Sequence, residues 1–285
     1  MRIIIISDIK GECESVIPYG LHLAKSLESE VDILHVIDSR TLHGVQSSYS
    51  DSQTVAPGNK LSHEDIVKRE KKHAELELDK LLSGEASRVN YPLKINIVIE
   101  EGSLESIIRK QLKSAKDCLL LVNSVQDMFI FQSKQEIVNT IYKLDTVSLL
   151  APPGYSFKEM RNVFLLSYPS PKHINKIKMN ISFLKDFKPT INAVNFANMR
   201  DYDRILRKNK TLEGIIKDRF TPFAFKMDTV AGSNYVSVLA SYIEKNNPDL
   251  ILILKNRKSY FYSIFKKRRN KQLIEAINVP VLFMK

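Results

Sequence analysis

A chain of 285 residues, 44% hydrophobic and 26% charged, has apolar surface for two globular cores and is long for one. Its two cysteines, Cys13 and Cys118, are too far apart to suggest a disulfide framework, its six histidines are scattered rather than set at metal-ligand spacing, and no stretch approaches the length of a membrane span. The formal net charge of +11 suits nucleic acid, acidic lipid or small anions without choosing among them.

The apolar start Ile3–Ile6 is too short for a signal peptide and runs straight into Asp8, so Arg2–Ser7 reads as a buried strand and a cytoplasmic location is expected. A helix follows with Val16, Leu23 and Leu27 on one face, then a strand over Val31–Ile37. Residues 38–60, rich in Ser, Gly, Asn and Pro, read as a long loop, and Ser62 with Asp65 three residues on caps a helix whose inner stripe is Val67, Ala74, Leu78 and Leu81. Leu93–Ile99 is a third strand. Gly102-Ser103 opens a helix carrying Leu104, Ile107, Ile108 and Leu112, Cys118–Val122 is a fourth strand, 134–144 a helix and Val147–Leu150 a fifth strand.

The second half repeats this order. Asn162–Ser167 is a strand, and Ser170-Pro171 starts a helix with Ile174, Ile177, Ile181 and Leu184 at helical spacing. Thr190–Phe196 is a strand, 201–218 a helix and Phe223–Met227 a strand; Gly232-Ser233 opens a helix with Val236, Leu239, Ala240 and Ile243. Leu250–Leu254 and Val279–Met284 close the set around a helix near 268–277. Glu101-Gly102-Ser103 matches Ala231-Gly232-Ser233, and Asp117–Ser148 matches Asp249–Pro280 without a gap. The expected architecture is therefore α/β: two tandem doubly wound domains, 1–151 and 158–285, each a five-stranded mostly parallel sheet flanked by helices and joined near Ala151-Pro152-Pro153-Gly154.

Ile4–Asp8, Leu34-His35-Val36, Glu101-Gly102 and the closing pair Asp249–Leu252 and Val279–Phe283, taken in order, make the chain resemble the universal stress protein family in its tandem form. The resemblance implies that last strands pair edge to edge, hence an internal pseudo-dimer of Val147–Leu150 with Val281–Met284; a homodimer of whole chains and other protein partners stay open. It also implies a site where many family members bind ATP, with Asp8 and Val36 at the adenine end and Gly102 beside it. The family's loop reads Gly, two residues, Gly, nine residues, Gly, then Ser or Thr, because glycines let backbone N–H groups approach phosphate oxygens. Counted from Asp117 those positions are Val122, Val125, Gln135 and Glu136; counted from Asp249 they are Leu254, Arg257, Lys267 and Arg268. Every glycine is replaced. In the second half Arg257, Lys267 and Arg268 are candidate side-chain contacts to an anion, and Ser167-Tyr168 replaces the acid.

Lys255–Lys271 interleaves basic residues with Tyr260, Phe261, Tyr262, Ile264 and Phe265, a composition compatible with nucleic acid or acidic lipid. The plainer reading is a solvated loop, and nucleic acid ranks low among the partners. Asp8 with Lys10, or Ser7 with His35, lacks a third orienting group, so no catalytic residue, metal site or enzyme activity is expected. The expected function is a non-enzymatic stress-response protein acting by association, with no resident cofactor; sensing of ATP or another anionic ligand is the alternative, and nucleic-acid binding through the basic loop the second.

Overall fold

The structure is a computed structural model that describes residues 1–7, 16–38, 62–89, 92–114, 117–124, 134–152, 154–166, 169, 173–255 and 277–285. They form an α/β architecture, with mostly parallel strands flanked by helices. Two compact units divide the chain, Met1–Ser133 and Lys134–Lys285.

The first unit runs β1 (Arg2–Ser7), α1 (Val16–Ser26), β2 (Glu30–Ile37), α2 (His63–Val89), β3 (Ile95–Glu101), α3 (Leu104–Ser114) and β4 (Cys118–Asn123). Its strands lie in the order β3-β2-β1-β4, with every pair parallel. The unbroken apolar run Ile3–Ile6 sits in the middle, buried on both faces as a central parallel strand must be. Gly20 lets α1 close on that strand: a Cβ there would stand 2.4 Å from Ile5 and 2.8 Å from Leu121. At the head of α2, Ser62 Oγ accepts from Asp65 N and donates to Asp65 Oδ2, the cap that the Ser-x-x-Asp spacing predicts. The sequence expectation for β3, Leu93–Ile99, needs correction. The strand begins at Ile95 and continues through Glu100 and Glu101, because its pairing with β2 persists to Ile37↔Glu101 after the apolar pattern stops.

The second unit runs α4 (Lys134–Lys143), β5 (Val147–Ala151), β6 (Asn162–Leu165), α5 (Ile174–Asn180), β7 (Thr190–Ala197), α6 (Tyr202–Ile216), β8 (Ala224–Ala231), α7 (Tyr235–Asn246), β9 (Leu250–Leu254) and β10 (Val281–Met284). The strand order is β5-β10-β9-β6-β7-β8. β10 runs parallel to β9 and antiparallel to β5, with Val281 opposite Leu150, Leu282 opposite Leu149 and Phe283 opposite Ser148. The two segments expected to meet edge to edge do so, and β5 groups by packing with the second unit.

Several second-half boundaries also move. Ile174, Ile177, Ile181 and Leu184 are all buried, but the α-helix stops at Asn180 and a 3-10 segment, Ser182–Phe187, carries the stripe onward. β8 spans Ala224–Ala231 instead of Phe223–Met227, since the β7 ladder runs from Thr190↔Ala224 to Ala197↔Ala231 across the polar Asp228-Thr229. The cap of α7 is Asn234, one residue beyond Ser233: its side chain accepts from the backbone N–H groups of Val236 and Ser237. Strand β6 ends at Leu165, and β10 starts at Val281 rather than Val279. The expected helix start at Ser170-Pro171 lies outside the described residues, as do the helix near 268–277 apart from Ile277 and the loop 38–60 apart from Asp38.

Candidate functional site

Open α/β sheets bind ligands beyond the carboxyl ends of their strands, where the strand order reverses. In the first unit that point is β1 beside β4. The last registered pair there is Ile5↔Leu121, and two residues further on each strand stand Ser7 and Asn123, followed by Ser124. Ser7, Asn123, Ser124 and Asp38 at the end of β2 are all buried polar residues. Ser7 Oγ and Ser124 Oγ find no hydrogen-bond partner among the described residues. Two buried hydroxyls without partners among the described residues, at the sheet's switch point, are the strongest ligand-directed feature of this edge.

His35 reaches the same edge, but its Nδ1 lies 3.2 Å from the main-chain carbonyl of Ser7 rather than from the hydroxyl. A carbonyl can only accept, so Nδ1 carries the proton in that bond, and the contact is not a nucleophile–base pair. Val36, the expected base-contacting position, is a buried strand residue one place inside the end of β2. Asp8, the acid expected at an adenine end, lies outside the described residues, as do Val125 and Cys13.

Gly102 has an evident structural duty. Its N–H donates to Ile37 O at 3.0 Å with φ at +144°, closing the β2–β3 ladder in a conformation that L side chains avoid. Gly232 N likewise donates to Ala197 O at 3.3 Å across the β7–β8 pair.

The first position of the family's glycine loop falls on Val122, a β4 residue only 2% exposed. Its counterpart Leu254 ends β9 at 5% exposed. Glu136 is exposed in the first turn of α4. Arg257, Lys267 and Arg268, the candidate anion contacts, lie outside the described residues.

Two side-chain clusters were not anticipated from the sequence. Lys255, directly after β9, is largely buried, and its Nζ donates to Leu144 O at 3.0 Å and Thr146 O at 2.6 Å. Burial pushes its pKa down to about 7 in spite of the pull of Asp145, and the charge of Lys285 lowers it further. A lysine abutting a five-residue apolar run is the sequence signal that was available. The second cluster is under α7, where Asn192 Nδ2 and the Tyr242 hydroxyl both donate to Asp228 Oδ2. Burial, then the hydrogen bond to Asp228 and its charge, drive the Tyr242 pKa well above the usual phenol range. Tyr242→Phe keeps the ring against Phe164 but strips a donor from a half-buried carboxylate. It is expected to cost about 1–3 kcal/mol, read as a lower urea midpoint; an unchanged midpoint would remove the cluster from the stabilising interactions.

No family model and no curated protein matches this sequence. Solved structures do. A universal stress protein from Archaeoglobus fulgidus DSM 4304 superposes with a TM-score of 0.65 at 13% identity, covering 100% of this chain and 96% of that one. A functionally unknown protein from Pseudomonas aeruginosa PAO1 superposes with a TM-score of 0.55 at 10% identity, covering 100% of this chain and 92% of that one. Strand order and full-length superposition agree: this chain has the fold of the universal stress proteins.

Proposed function

We propose that the chain is a tandem universal-stress-like protein that works by association rather than turnover, and that neither half grips a triphosphate through main-chain amides. The burial of Val122 in β4 carries this reading: a branched side chain packed in the sheet stands where the family pattern needs a glycine, and Leu254 does the same in β9. Glu136 adds a like charge against phosphate at the head of α4. Millimolar ATP is therefore expected to leave the melting temperature of the protein unchanged. A concentration-dependent rise, which linkage would demand of any ligand selective for the folded state, would overturn the reading.

Ser7 and Ser124 favour a second reading, a small polar ligand held by hydroxyls at the β1/β4 crevice of the first unit. Mass spectrometry of small molecules released from the purified protein tests it. A stoichiometric polar compound lost in the Ser7→Ala variant supports it, and a clean extract retires it.

A further inference from the structure

The charge of this protein is distributed unevenly. Residues 134–285 contain 27 Lys and Arg against 12 Asp and Glu, a net of +15, whereas residues 1–133 contain 16 against 20, a net of −4. Among the described residues of the second unit the excess is one-sided as well. Asn209 on α6 donates to Thr229, and Tyr242 on α7 donates to the adjacent Asp228, so the two helices cover opposite faces of β8. α5 packs on the 3-10 segment Lys217–Phe220 that follows α6, which puts α5 and α6 in one layer. Among the described residues, 174–188 and 198–220 expose ten Lys and Arg against three Asp. Among the described residues on the opposite face, α7 exposes one of each sign, Lys245 and Glu244.

The acids of the basic layer are partly withdrawn. Glu213 is turned toward the sheet, where its carboxylate accepts from Met227 N at 2.8 Å, and Asp201 is paired with Arg204 at 2.7 Å. Three large apolar side chains project among the cations: Met179 at 77% exposure, Met199 at 69% and Ile215 at 54%. The described residues expose only five such side chains in all, so the basic layer holds most of them. On α6 the outward line runs Arg204, Lys208, Thr211, Ile215 at helical spacing, putting an apolar tip in register with the cations.

We propose that this α5–α6 layer docks the protein on an anionic lipid surface. Clustered cations are drawn to the negative potential of such a membrane, and each contributes most close to the plane of the headgroups. Exposed Met and Ile side chains gain by leaving water at the headgroup–acyl boundary, a gain that a sugar–phosphate backbone does not offer. That difference favours a bilayer over nucleic acid. The apolar stripe of α6 is already spent on the sheet, where Ile216 is buried, so the layer rests on the membrane without inserting a helix, and binding is reversible and sensitive to salt.

Co-sedimentation of the full chain with vesicles tests this. Retention is expected on phosphatidylcholine vesicles containing about a third phosphatidylserine, absent on pure phosphatidylcholine, and lost as salt is raised toward about 1 M. Arg207→Glu with Lys210→Glu is expected to weaken binding about a hundredfold or more. The charge-removing pair Arg207→Gln with Lys210→Gln gives a smaller loss in the same direction. Met179→Ser with Ile215→Ser is expected to weaken it several-fold, and Lys245→Glu on the opposite layer to leave it unchanged. The proposal is overturned by no retention, by equal retention on neutral vesicles, by a Lys245→Glu loss as large as that of the Arg207 pair, or by duplex DNA binding more tightly than the anionic vesicles.

Discussion

Phe283→Ala is expected to destabilise the second unit by about 3–5 kcal/mol, a large share of the 5–15 kcal/mol typical of a folded domain. Phe283 is completely buried in β10, between Ser148 of β5 and Ile253 of β9, and its ring meets Tyr142 of α4 edge-on at 5.5 Å. Truncation removes the apolar surface, the ring–ring contact and the support of a strand whose neighbours on both sides come from distant parts of the chain. Urea unfolding followed by circular dichroism is the measurement. A drop below about 1 kcal/mol would mean that the surrounding side chains collapse into the cavity, and that β10 is a far softer element than its burial indicates.

The second large effect is on pH dependence. In the folded protein Lys255 has its pKa lowered to about 7, whereas an unfolded lysine titrates near 10.4. Between those values the unfolded state holds the extra proton, so folding stability rises with pH through this window; below about 7 both states are protonated and the slope vanishes. Integrated over the window the gain is a few kcal/mol, with about 1.4 kcal/mol per pH unit as the ceiling. A neutral amine suits the site, since its two N–H groups match the carbonyls of Leu144 and Thr146. Tyr242, with its raised pKa, contributes stability that is lost above about pH 10, so the comparison belongs between pH 7 and about 9.5. Unfolding free energies of the wild type are expected to climb over that range and those of Lys255→Met to stay flat. Parallel slopes in the two proteins would show that Lys255 is hydrated and ordinary.

Much of the fold was legible because burial and pattern agree. Ile3–Ile6 and Leu250–Leu254 are continuous apolar runs and become strands covered on both faces, and Val147–Leu150 and Val281–Met284 pair as the family resemblance implies. Edge strands were less readable. β3 runs on into Glu100 and Glu101, and β8 crosses Lys226, Asp228 and Thr229, because an edge strand can leave one side to water and its ladder is set by its neighbour rather than by hydropathy. The switch-point edge was less legible. Resemblance pointed to Asp8 and Val36, of which Asp8 lies outside the described residues, and the buried hydroxyls of Ser7 and Ser124 gave no local signal, since a serine at a strand end reads as the start of a turn. Asp228 reads as surface charge until Asn192 and Tyr242, from 36 and 14 residues away, are brought onto it. Lys255 likewise depends on carbonyls 111 and 109 residues earlier in the chain.

The antiparallel seam of β5 with β10 has a kinetic consequence. Both strands belong to one polypeptide, so their meeting is a unimolecular event at the high local concentration that tethering confers, and dilution cannot part them. Where such a seam forms between separate subunits its occupancy follows protein abundance; here it is closed at any copy number. Along the seam the backbone hydrogen-bonding groups are already engaged, so the facing sides of these two strands offer no template on which a foreign chain could grow a filament.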